Sequence, residues 1–490
     1  MAFLLNSDNI LAYLLNCNLL EASPLVESNQ SGSGLSEVAP SSRLPSDSLL
    51  SGCLKLEPKP GKNFNLRVRY GQHDWLVKQE SHGVTGEAAG ELRREQQFFQ
   101  WLAGCLGLED VRSHLIQPVH FDPQNSIIVF PYLKGTKDLS DVFHEAEGLL
   151  PTAIATQIGD FFGALHSSTF HHKGCKAFAA KAAANAPSHQ ETPPDFLRGL
   201  RQLTPETFCV IPTEALKFFR FYQRYPAIST AIEHLSQTFD PCCMVHNDPR
   251  FANFLLREPN SQTNEIGKLY PIDWEKWAWG DPLYDVARLI ANYLKLWLKS
   301  LPISSDVDLK AALSRASVPL SAVQPSTTAL VKAYLARFPN ILLHRTDFTP
   351  QLVQFVGLAL LRQVQLYIAQ KHPIGNIEMA MAQVAKTLLC QPEMAVETIF
   401  GCTQETLEEA NSHAESSQYA TESSQRGESN PHSEFNPHAE FNHRDSAVRS
   451  NLVGHGSGTN PAHRRGADAH RTHNNAIQRS STSARHVGTQ

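Results

Sequence analysis

The stretch that decides the fold is residues 244–256, MVHNDPRFANFLL, and it is followed downstream by residues 270–275, YPIDWE. Together they supply His-x-Asp, an Asn after that aspartate, and a second aspartate at the end of an apolar run. Phosphoryl transfer needs a carboxylate that accepts the proton of the attacking hydroxyl. It also needs an amide and a second carboxylate that hold Mg²⁺ against the phosphates. The order and spacing of Asp248, Asn253 and Asp273 therefore predict a phosphoryl-transfer site.

The context of these residues strengthens that prediction. His-x-Asp alone is common by chance, and the alternative is that Asp248 and Asp273 are ordinary loop acids beside buried strands. Two separated motifs that agree in order and in strand context favour the chemical interpretation. A helix should begin at Asp281-Pro282, where a carboxylate can cap free amides and proline fits the first turn. We expect Asp281 and Asp285 to have architectural roles.

Residues 244–256 resemble the catalytic loop of the aminoglycoside phosphotransferase and choline kinase family, which has a protein-kinase-like fold. The resemblance, which covers roughly residues 50–389, implies an α+β fold of two lobes, with a small antiparallel-sheet N-lobe and a mainly helical C-lobe. It implies an ATP- and Mg²⁺-dependent phosphotransferase that transfers the γ-phosphoryl group to a hydroxyl of a small acceptor. Asp248 would be the catalytic base, and Asn253 and Asp273 the metal ligands. His246 would hold the loop, whereas Glu275 is either a metal neighbour or a solvated acid.

The N-lobe of such an enzyme should lie upstream. Residues 66–70 and 74–80 predict two strands joined by the turn Gly71-Gln72-His73. Lys78 follows an apolar run, as the phosphate-pairing lysine of kinase-like folds does. Its partner should be a glutamate of the helix predicted by the periodicity of residues 91–102. Glu95 resembles the family's position, and Glu91 is the alternative.

Two further segments resemble nucleotide-binding parts of the family. Residues 59–65, KPGKNFN, lie where a loop should cover the phosphates, and there Gly61 and Asn63 are candidate contacts. Residues 127–135, IIVFPYLKG, resemble the strand and hinge between the lobes, where the backbone from Pro131 to Leu133 would meet adenine. Because Pro131 has no N–H, one possible hydrogen-bond donor to the base is missing. This segment therefore does not select between ATP and GTP, and ATP is the default expectation.

Composition restricts the class of protein. The chain has 490 residues, of which 41% are hydrophobic, and a formal net charge of −5, which makes nucleic acid an unexpected partner. Its nine cysteines show no metal-ligand spacing and are typical of reduced intracellular thiols. The amino terminus lacks the basic region of a signal peptide, and no apolar run was expected to span a membrane. We therefore expect a cytoplasmic enzyme; its oligomeric state stays open.

Composition shifts along the chain suggest five segments. A short helix at residues 10–15, capped by Ser7-Asp8-Asn9, should pack on the small lobe, and a Ser-, Gly- and Pro-rich linker follows. The polar tail contains the near repeat of residues 430–441; its histidines suggest metal binding, but we favour disorder. The predicted segments are 1–27 (helical), 28–48 (linker), 49–133 (nucleotide-binding N-lobe), 134–400 (catalytic, acceptor-binding C-lobe) and 401–490 (disordered tail).

The acceptor is the least defined part of the prediction. Residues 171–239 and Trp277-Ala278-Trp279 should line an aromatic, neutral or basic pocket, although such aromatics are also typical of a core. This favours a hydroxylated metabolite, a sugar or a short peptide over a polycationic antibiotic. The short interval from Asp273 to Asp281 leaves no room for the activation segment of protein kinases. Two alternatives remain: a kinase of Ser or Thr in a small precursor peptide, and a non-catalytic pseudokinase-like scaffold.

Overall fold

The computed structural model describes residues 3–20, 54–81, 89–146, 151–184, 208–209, 211–257, 267–303, 309–370 and 372–409. The predicted linker, the repeat of residues 430–441 and nearly all of the predicted tail lie outside these ranges. The strands are β1 Leu54–Lys59, β2 Phe64–Tyr70, β3 His73–Gln79, β4 His120–Asp122, β5 Ile127–Pro131, β6 Thr136–Asp138, β7 Cys243–Val245, β8 Phe254–Arg257, β9 Leu269–Pro271 and β10 Ala278–Gly280.

The helices of the described residues are numbered in the same way. They are α1 Ile10–Asn16, α2 Glu91–Gly104, α3 Glu109–Ser113, α4 Leu139–Glu145, α5 Thr152–Thr169, α6 Lys173–Ala184, α7 Leu216–Arg224, α8 Pro226–Thr238, α9 Pro282–Ser300, α10 Leu309–Ser314, α11 Leu320–Arg337, α12 Asn340–His344, α13 Phe348–Ala369, α14 Asn376–Cys390, α15 Pro392–Phe400 and α16 Gln404–Glu408. An antiparallel sheet thus precedes a mainly helical part, so the predicted α+β class is confirmed.

The amino-terminal sheet has five antiparallel strands in the order β1-β2-β3-β5-β4. Side chains alternate between its faces: Val77 and Val129 are buried beneath α1, whereas Ile128 and Phe130 belong to the core that contains α2. The predicted hairpin is observed, and Gly71 takes the left-handed conformation (φ 58°) that its turn requires. The sheet is therefore covered on both faces, and this fixes the position of Lys78 on β3.

Helix α1 packs on the sheet as predicted, but its predicted cap is wrong. The side-chain oxygen of Asn6 accepts the backbone N–H groups of Asp8 and Asn9, each at 2.9 Å. No side chain caps the helix from Asn9, the residue before its first turn. The chain already turns at Asn6, whose carbonyl oxygen accepts the N–H of Ile10. Asn6 therefore holds the turn before the helix, and only its carbonyl oxygen meets a helical N–H group, that of Ile10.

Helices α5 and α11 pack closely at the centre of the helical part. A Cβ atom on Gly159 would lie 2.1 Å from the carbonyl oxygen of Leu330, and one on Gly163 would lie 2.8 Å from that of Tyr334. The two glycines on α5 therefore allow the backbones to approach more closely than any side chain would permit.

Substituting Gly159 by Val is expected to lower the free energy of unfolding by about 3 kcal/mol, because the new side chain meets backbone rather than a mobile side chain. Denaturant unfolding measures this loss. Gly104→Val is the matched control, since Gly104 is exposed at the end of α2 and a Cβ there meets nothing within 4 Å. Equal midpoints for the two variants would contradict the close-packing interpretation.

Helix α13 is long and apolar enough to cross a membrane by length and composition, whereas the sequence was expected to contain no such run. Of its most apolar 18-residue window, 61% is buried within the protein. Core helices of soluble proteins pass the same test, so burial against neighbouring helices accounts for its composition. Beyond α15, helix α16 extends the described structure past the predicted boundary at residue 400, with Leu407 fully buried.

Candidate active site

The loop that follows β7 is held by a buried carboxylate on α9. Asp285 is fully buried and accepts the backbone N–H of His246 at 2.7 Å and that of Asn247 at 2.8 Å. Asn247 has the left-handed conformation (φ 65°), which is unfavourable for most side chains and tolerated by Asn. Helix α9 begins as predicted, with Asp281 capping the N–H of Leu283 at 3.0 Å. The first turn of α9 therefore fixes the path of the loop.

His246 connects the two motif segments. Its ring is fully buried; Nε2 lies 3.0 Å from the carbonyl oxygen of Ile272, and Nδ1 lies 3.4 Å from the backbone N of Asp248. Burial lowers the pKa of His246, which favours the neutral ring. A neutral ring that donates from Nε2 and accepts at Nδ1 satisfies both contacts. His246 thus lies where it ties the Asp248 loop to the Asp273 loop.

Asp248 is buried, and three cationic side chains surround its carboxylate. Arg288 forms an ion pair with Oδ1, Lys276 Nζ lies 2.6 Å from Oδ2, and Arg250 Nε lies 3.9 Å from Oδ2. Burial opposes the charged form, but these cations outweigh it and lower the pKa of Asp248 to about 2. The carboxylate is therefore ionised at neutral pH, and its basicity is low while these pairs persist.

Asn253 and Asp273, the candidate metal ligands, lie on adjoining loops. The backbone N–H of Ile272 donates to the carbonyl oxygen of Asn253 at 2.9 Å, which joins the two segments. The Asn253 side chain accepts from Arg250 Nε at 3.2 Å and donates to the carbonyl oxygen of Asp248 at 3.0 Å. Asp273 has a positive φ of 62° directly after the strand β9 and Ile272. Amide and carboxylate oxygens are thus presented beside Asp248.

Lys78 reaches from the sheet to the same place. Its Nζ lies 2.5 Å from Asp273 Oδ1 and 4.0 Å from Glu95 Oε2, and both Lys78 and Glu95 are largely buried. Glu91, the alternative partner, instead lies 2.5 Å from Lys62 Nζ. The two glutamates lie one turn apart on the same side of α2, with Glu91 in its first turn beside Lys62 and Glu95 further along beside Lys78. Of the two, Glu95 is the residue near Lys78.

Three acidic side chains act on the charge of Lys78. Burial opposes the charged form of this lysine, but Asp273 and Glu95 outweigh it and raise its pKa. Burial, followed by repulsion from Asp273 and Glu95, raises the pKa of Glu275 to about 8. Arg94 donates to the carbonyl oxygen of Glu275 at 3.1 Å. Asp273, Glu95 and Glu275 therefore all act on Lys78, and a divalent cation beside them would favour the ionised forms of the two glutamates.

The candidate nucleotide contacts lie at the edges of the sheet. Gly61 and Asn63 fall in the turn between β1 and β2, where a Cβ on Gly61 would come 2.1 Å from the side-chain nitrogen of Asn65. The Asn63 side-chain oxygen is buried with no hydrogen-bond partner among the described residues. Pro131 is exposed at the end of β5. The carbonyl oxygen of Leu133 accepts from Thr136 at 3.0 Å.

The predicted aromatic acceptor pocket is wrong for Trp277. This side chain is only 1% exposed; it stacks on Phe178 with ring centroids 5.6 Å apart, and its Nε1 donates to the carbonyl oxygen of Arg94. It is therefore a core residue that braces α2 against β10. Aromatic side chains of α7 are buried in the same way, namely Phe218, Phe219, Phe221 and Tyr222. Residues 185–207 of the proposed lining lie outside the described ranges.

The sequence interpretation missed the cations around Asp248. Arg288 comes from α9, and Asn292 and Lys295 follow it at the spacing of residues on one helix face. Lys276 comes from the short turn after Asp273. For the residues of α9, the signal in the sequence was their helical spacing from Asp285. The pairing of Arg288 with Asp248 joins residues 40 positions apart, so no local pattern predicts it.

Comparisons with known proteins give a family and several distant structural neighbours. A choline kinase from Streptococcus pneumoniae is 15% identical, covering 70% of this chain and 96% of its own, with a TM-score of 0.37. An ethanolamine kinase from Plasmodium vivax is 12% identical, covering 71% and 84%, with a TM-score of 0.42. A spectinomycin phosphotransferase in complex with ADP and spectinomycin is 13% identical, covering 71% and 91%, with a TM-score of 0.33. None of the curated proteins is significantly similar to the chain.

The family assignment comes from a family model. The model of the phosphotransferase enzyme family matches residues 59–314, which is more than half of the chain. The match includes β2, β3 and α2, the loop of Asp248 and Asn253, the loop of Asp273, and helix α9. The resemblance predicted from the motifs is confirmed, and so is the prediction of a phosphotransferase: the chain belongs to the phosphotransferase enzyme family.

Proposed function

We propose that the protein transfers the γ-phosphoryl group of ATP to a hydroxyl of a small acceptor, with Mg²⁺ as cofactor. The observation that carries the proposal is the 2.5 Å contact of Lys78 Nζ with Asp273 Oδ1, which joins residues 195 positions apart. It brings a lysine of the sheet to the loop beside Asp248 and Asn253. A phosphate-binding cation, a metal-binding carboxylate and a base within one site are the parts that phosphoryl transfer requires.

The donor set fits a magnesium ion. Asn253 Oδ1 and the Asp273 carboxylate are hard oxygen ligands, which Mg²⁺ prefers. Burial and the neighbouring carboxylates raise the pKa of Glu95 and of Glu275, and a bound cation would favour the ionised form of both. Bound Mg²⁺ would offset the charge of the phosphates during transfer. The proposed ligands are therefore Asn253 and Asp273, with Glu275 as a neighbouring acid that the cation would help to ionise.

Asp248 and Lys78 would have the remaining roles in the transfer. Asp248 would orient the acceptor hydroxyl and accept its proton as the acceptor oxygen bonds to the γ-phosphorus. The bond from that phosphorus to the bridging oxygen breaks, and ADP leaves with the electron pair. Lys78, positioned by Glu95, would contact the phosphates in place of its present contact with Asp273. Because little covalent chemistry is left to the protein, positioning and charge account for most of the rate.

The nucleotide would lie between the sheet and the helical part. Gly61 would allow close backbone approach to the phosphates, and the unpartnered Asn63 oxygen is available to a ligand. At the hinge, Pro131 offers no donor, and the backbone N–H of Tyr132 already donates to the carbonyl oxygen of Asp74 at 2.8 Å. Adenine recognition would therefore depend on Leu133. Residues 49–133 form the proposed nucleotide-binding lobe and 134–400 the proposed acceptor-binding lobe.

A thermal-shift measurement with ATP, with and without Mg²⁺, tests this proposal. A ligand at a hundred times its Kd adds about 2.7 kcal/mol of stability, a shift of about 5 °C in Tm. We expect this shift only when both ATP and Mg²⁺ are present, and we expect Asp273→Asn to abolish it. Asp110→Asn, a change at an exposed aspartate, should retain the shift. An equal shift with and without Mg²⁺ would instead support a scaffold that binds nucleotide without metal.

Glu95→Gln is expected to lower kcat/KM at least about tenfold, equivalent to roughly 1.4 kcal/mol of transition-state stabilisation. The reason is that Lys78 loses the buried carboxylate that positions it. Glu91→Gln is the matched control one helical turn away, and its removal frees only the exposed Lys62. Steady-state kinetics of ADP formation with both variants decide between them. A larger effect of the Glu91 variant would assign the pairing role to Glu91.

A further inference from the structure

Three cationic side chains surround the Asp248 carboxylate, and a fourth, Lys295, lies further along α9. Arg288, Lys276 and Arg250 all lie within ion-pair distance of its carboxylate. Lys295 follows Arg288 at helical spacing on α9, near enough for the charges of Arg288 and Arg250 to act on it. Within the described part of the chain, Asp248 is the only carboxylate that forms an ion pair with any of the four. Asp248 is thus the carboxylate that these cations pair with directly in the described structure, while the buried Asp285 acts on Arg288 without pairing with it.

This excess of positive charge is held partly out of water. The Arg288 side chain is 16% exposed, and its Nε is buried without a hydrogen-bond partner in the described structure. Lys295 is half-buried, and burial, followed by repulsion from Lys299 and Arg288, lowers its pKa to about 8. Keeping like charges together in a partly desolvated place is unfavourable unless an anion joins them. The arrangement therefore has the charge and the free donors of an anion-binding site.

The position of these cations argues against an ammonium-bearing acceptor. A hydroxyl that reaches Asp248 must lie within about 3 Å of its carboxylate, where Lys276 and Arg288 already are. An ammonium group a few atoms from that hydroxyl would therefore lie close to a lysine and an arginine. Like charges at such a separation repel strongly where water is partly excluded.

We propose that the acceptor is a small hydroxylated anion, with a carboxylate or phosphate a few atoms from its hydroxyl, and that Arg288, Lys276 and Lys295 bind this group. The inference rests on the proposed function and adds the charge class of the acceptor. It also gives a role to the ion pairs that Asp248 forms with Arg288 and Lys276. The incoming anion would replace Asp248 as the partner of Arg288 and Lys276, which leaves the Asp248 carboxylate free to accept the hydroxyl proton.

The chemical step is unchanged by this exchange of partners. The proton of the acceptor hydroxyl moves to an oxygen of Asp248. The acceptor oxygen bonds to the γ-phosphorus, and the bridging oxygen takes the electron pair of the broken bond into ADP. Arg288 and Lys276 remain paired with the anionic group of the acceptor, so they orient the hydroxyl without bonding to the transferred phosphoryl group.

Matched acceptors that differ only in charge test the proposal. The probes are glycerate, its amide, and 3-amino-1,2-propanediol, with glycerol 3-phosphate as the phosphate arm, each assayed for ADP formation by the full-length protein. Because a hydrogen bond to a charged group contributes about 1.5–3 kcal/mol, kcat/KM should be roughly 10- to 100-fold higher for an anionic probe than for the amide. A higher kcat/KM for glycerate indicates that the site binds a carboxylate, and a higher kcat/KM for glycerol 3-phosphate indicates that it binds a phosphate. Equal or better turnover of the amide or the amine would overturn the proposal.

Variants of these cations distinguish binding of the acceptor from stabilisation of the transferred phosphoryl group. Arg288→Met should raise KM for the anionic probe roughly 10- to 100-fold and leave that for the amide nearly unchanged. Lys276→Met, at a side chain that is 48% exposed, gives the same readout if the Arg288 variant folds poorly. Arg93→Met, at an exposed arginine of α2, is the control. A fall in kcat of equal size for every probe would show that these cations act on the phosphoryl group, and the inference would be wrong.

Different results would contradict the proposed phosphotransferase site and the proposed charge of the acceptor. If the wild-type protein shows no Mg²⁺-dependent thermal shift with ATP, the proposed phosphotransferase site is wrong. If the shift is present but the anionic probes are no better than the neutral one, only the charge class of the acceptor is wrong.

Discussion

Replacing Asp248 by Asn should lower kcat for phosphoryl transfer by roughly 10²- to 10⁴-fold, the contribution typical of a positioned general base. Asn keeps the shape of the side chain and cannot accept the hydroxyl proton. Binding of ATP should change little, because in the described structure Lys78 pairs with Asp273 and not with the Asp248 carboxylate. Steady-state kinetics of ADP formation, together with the ATP thermal shift, measure the two effects separately.

The substitution also removes the anion that Arg288 and Lys276 share, so folding has to be measured in the same preparation. Denaturant unfolding gives that check, and Asp248→Glu, which retains the charge, serves as a second variant. Asp110→Asn controls for the loss of a surface charge. If Asp248→Asn folds and retains more than a tenth of the wild-type kcat, Asp248 is not the base.

Local sequence was sufficient to predict the parts whose geometry depends on neighbours along the chain. The hairpin around Gly71 follows from alternating apolar residues and a turn glycine, and the start of α9 follows from a capping Asp281 before proline. The loop of Asp248 could be predicted because its spacing to Asn253 is a property of one short segment. In each case the interactions span a few residues, so the pattern carries the information.

Features that depend on tertiary packing were not predictable in this way. Glu91 and Glu95 lie one turn apart on α2, and only the way α2 packs on the sheet determines which one faces Lys78. Trp277 looks equally suited to a pocket or a core, and the approach of α2 determines that it is core. The Arg288 pair with Asp248 joins two elements brought together by the fold of the whole helical part. A single sequence carries no local record of such contacts.

The buried Asp285 gives the largest expected effect on stability. Asp285→Ala removes the acceptor of two backbone N–H groups, those of His246 and Asn247, in a place that water does not reach. Each buried donor left without a partner costs about 1–3 kcal/mol, so the free energy of unfolding should fall by about 2–5 kcal/mol. The turn at Asn247, whose φ is positive, would also lose the contact that holds it.

Asp285→Asn distinguishes this role from a general effect of burial. The amide oxygen can accept one of the two N–H groups and its nitrogen cannot accept the other, so the loss should be about half of that for Ala. Asp285→Ala should also lower kcat, because the loop that positions Asp248 begins at the two residues it holds, whereas Asp110→Ala at the surface should change neither quantity. Urea unfolding and ADP-formation kinetics at a temperature where all variants are folded measure the series. Wild-type stability in the Ala variant would show that water or another group satisfies these amides, and that the loop is held by His246 instead.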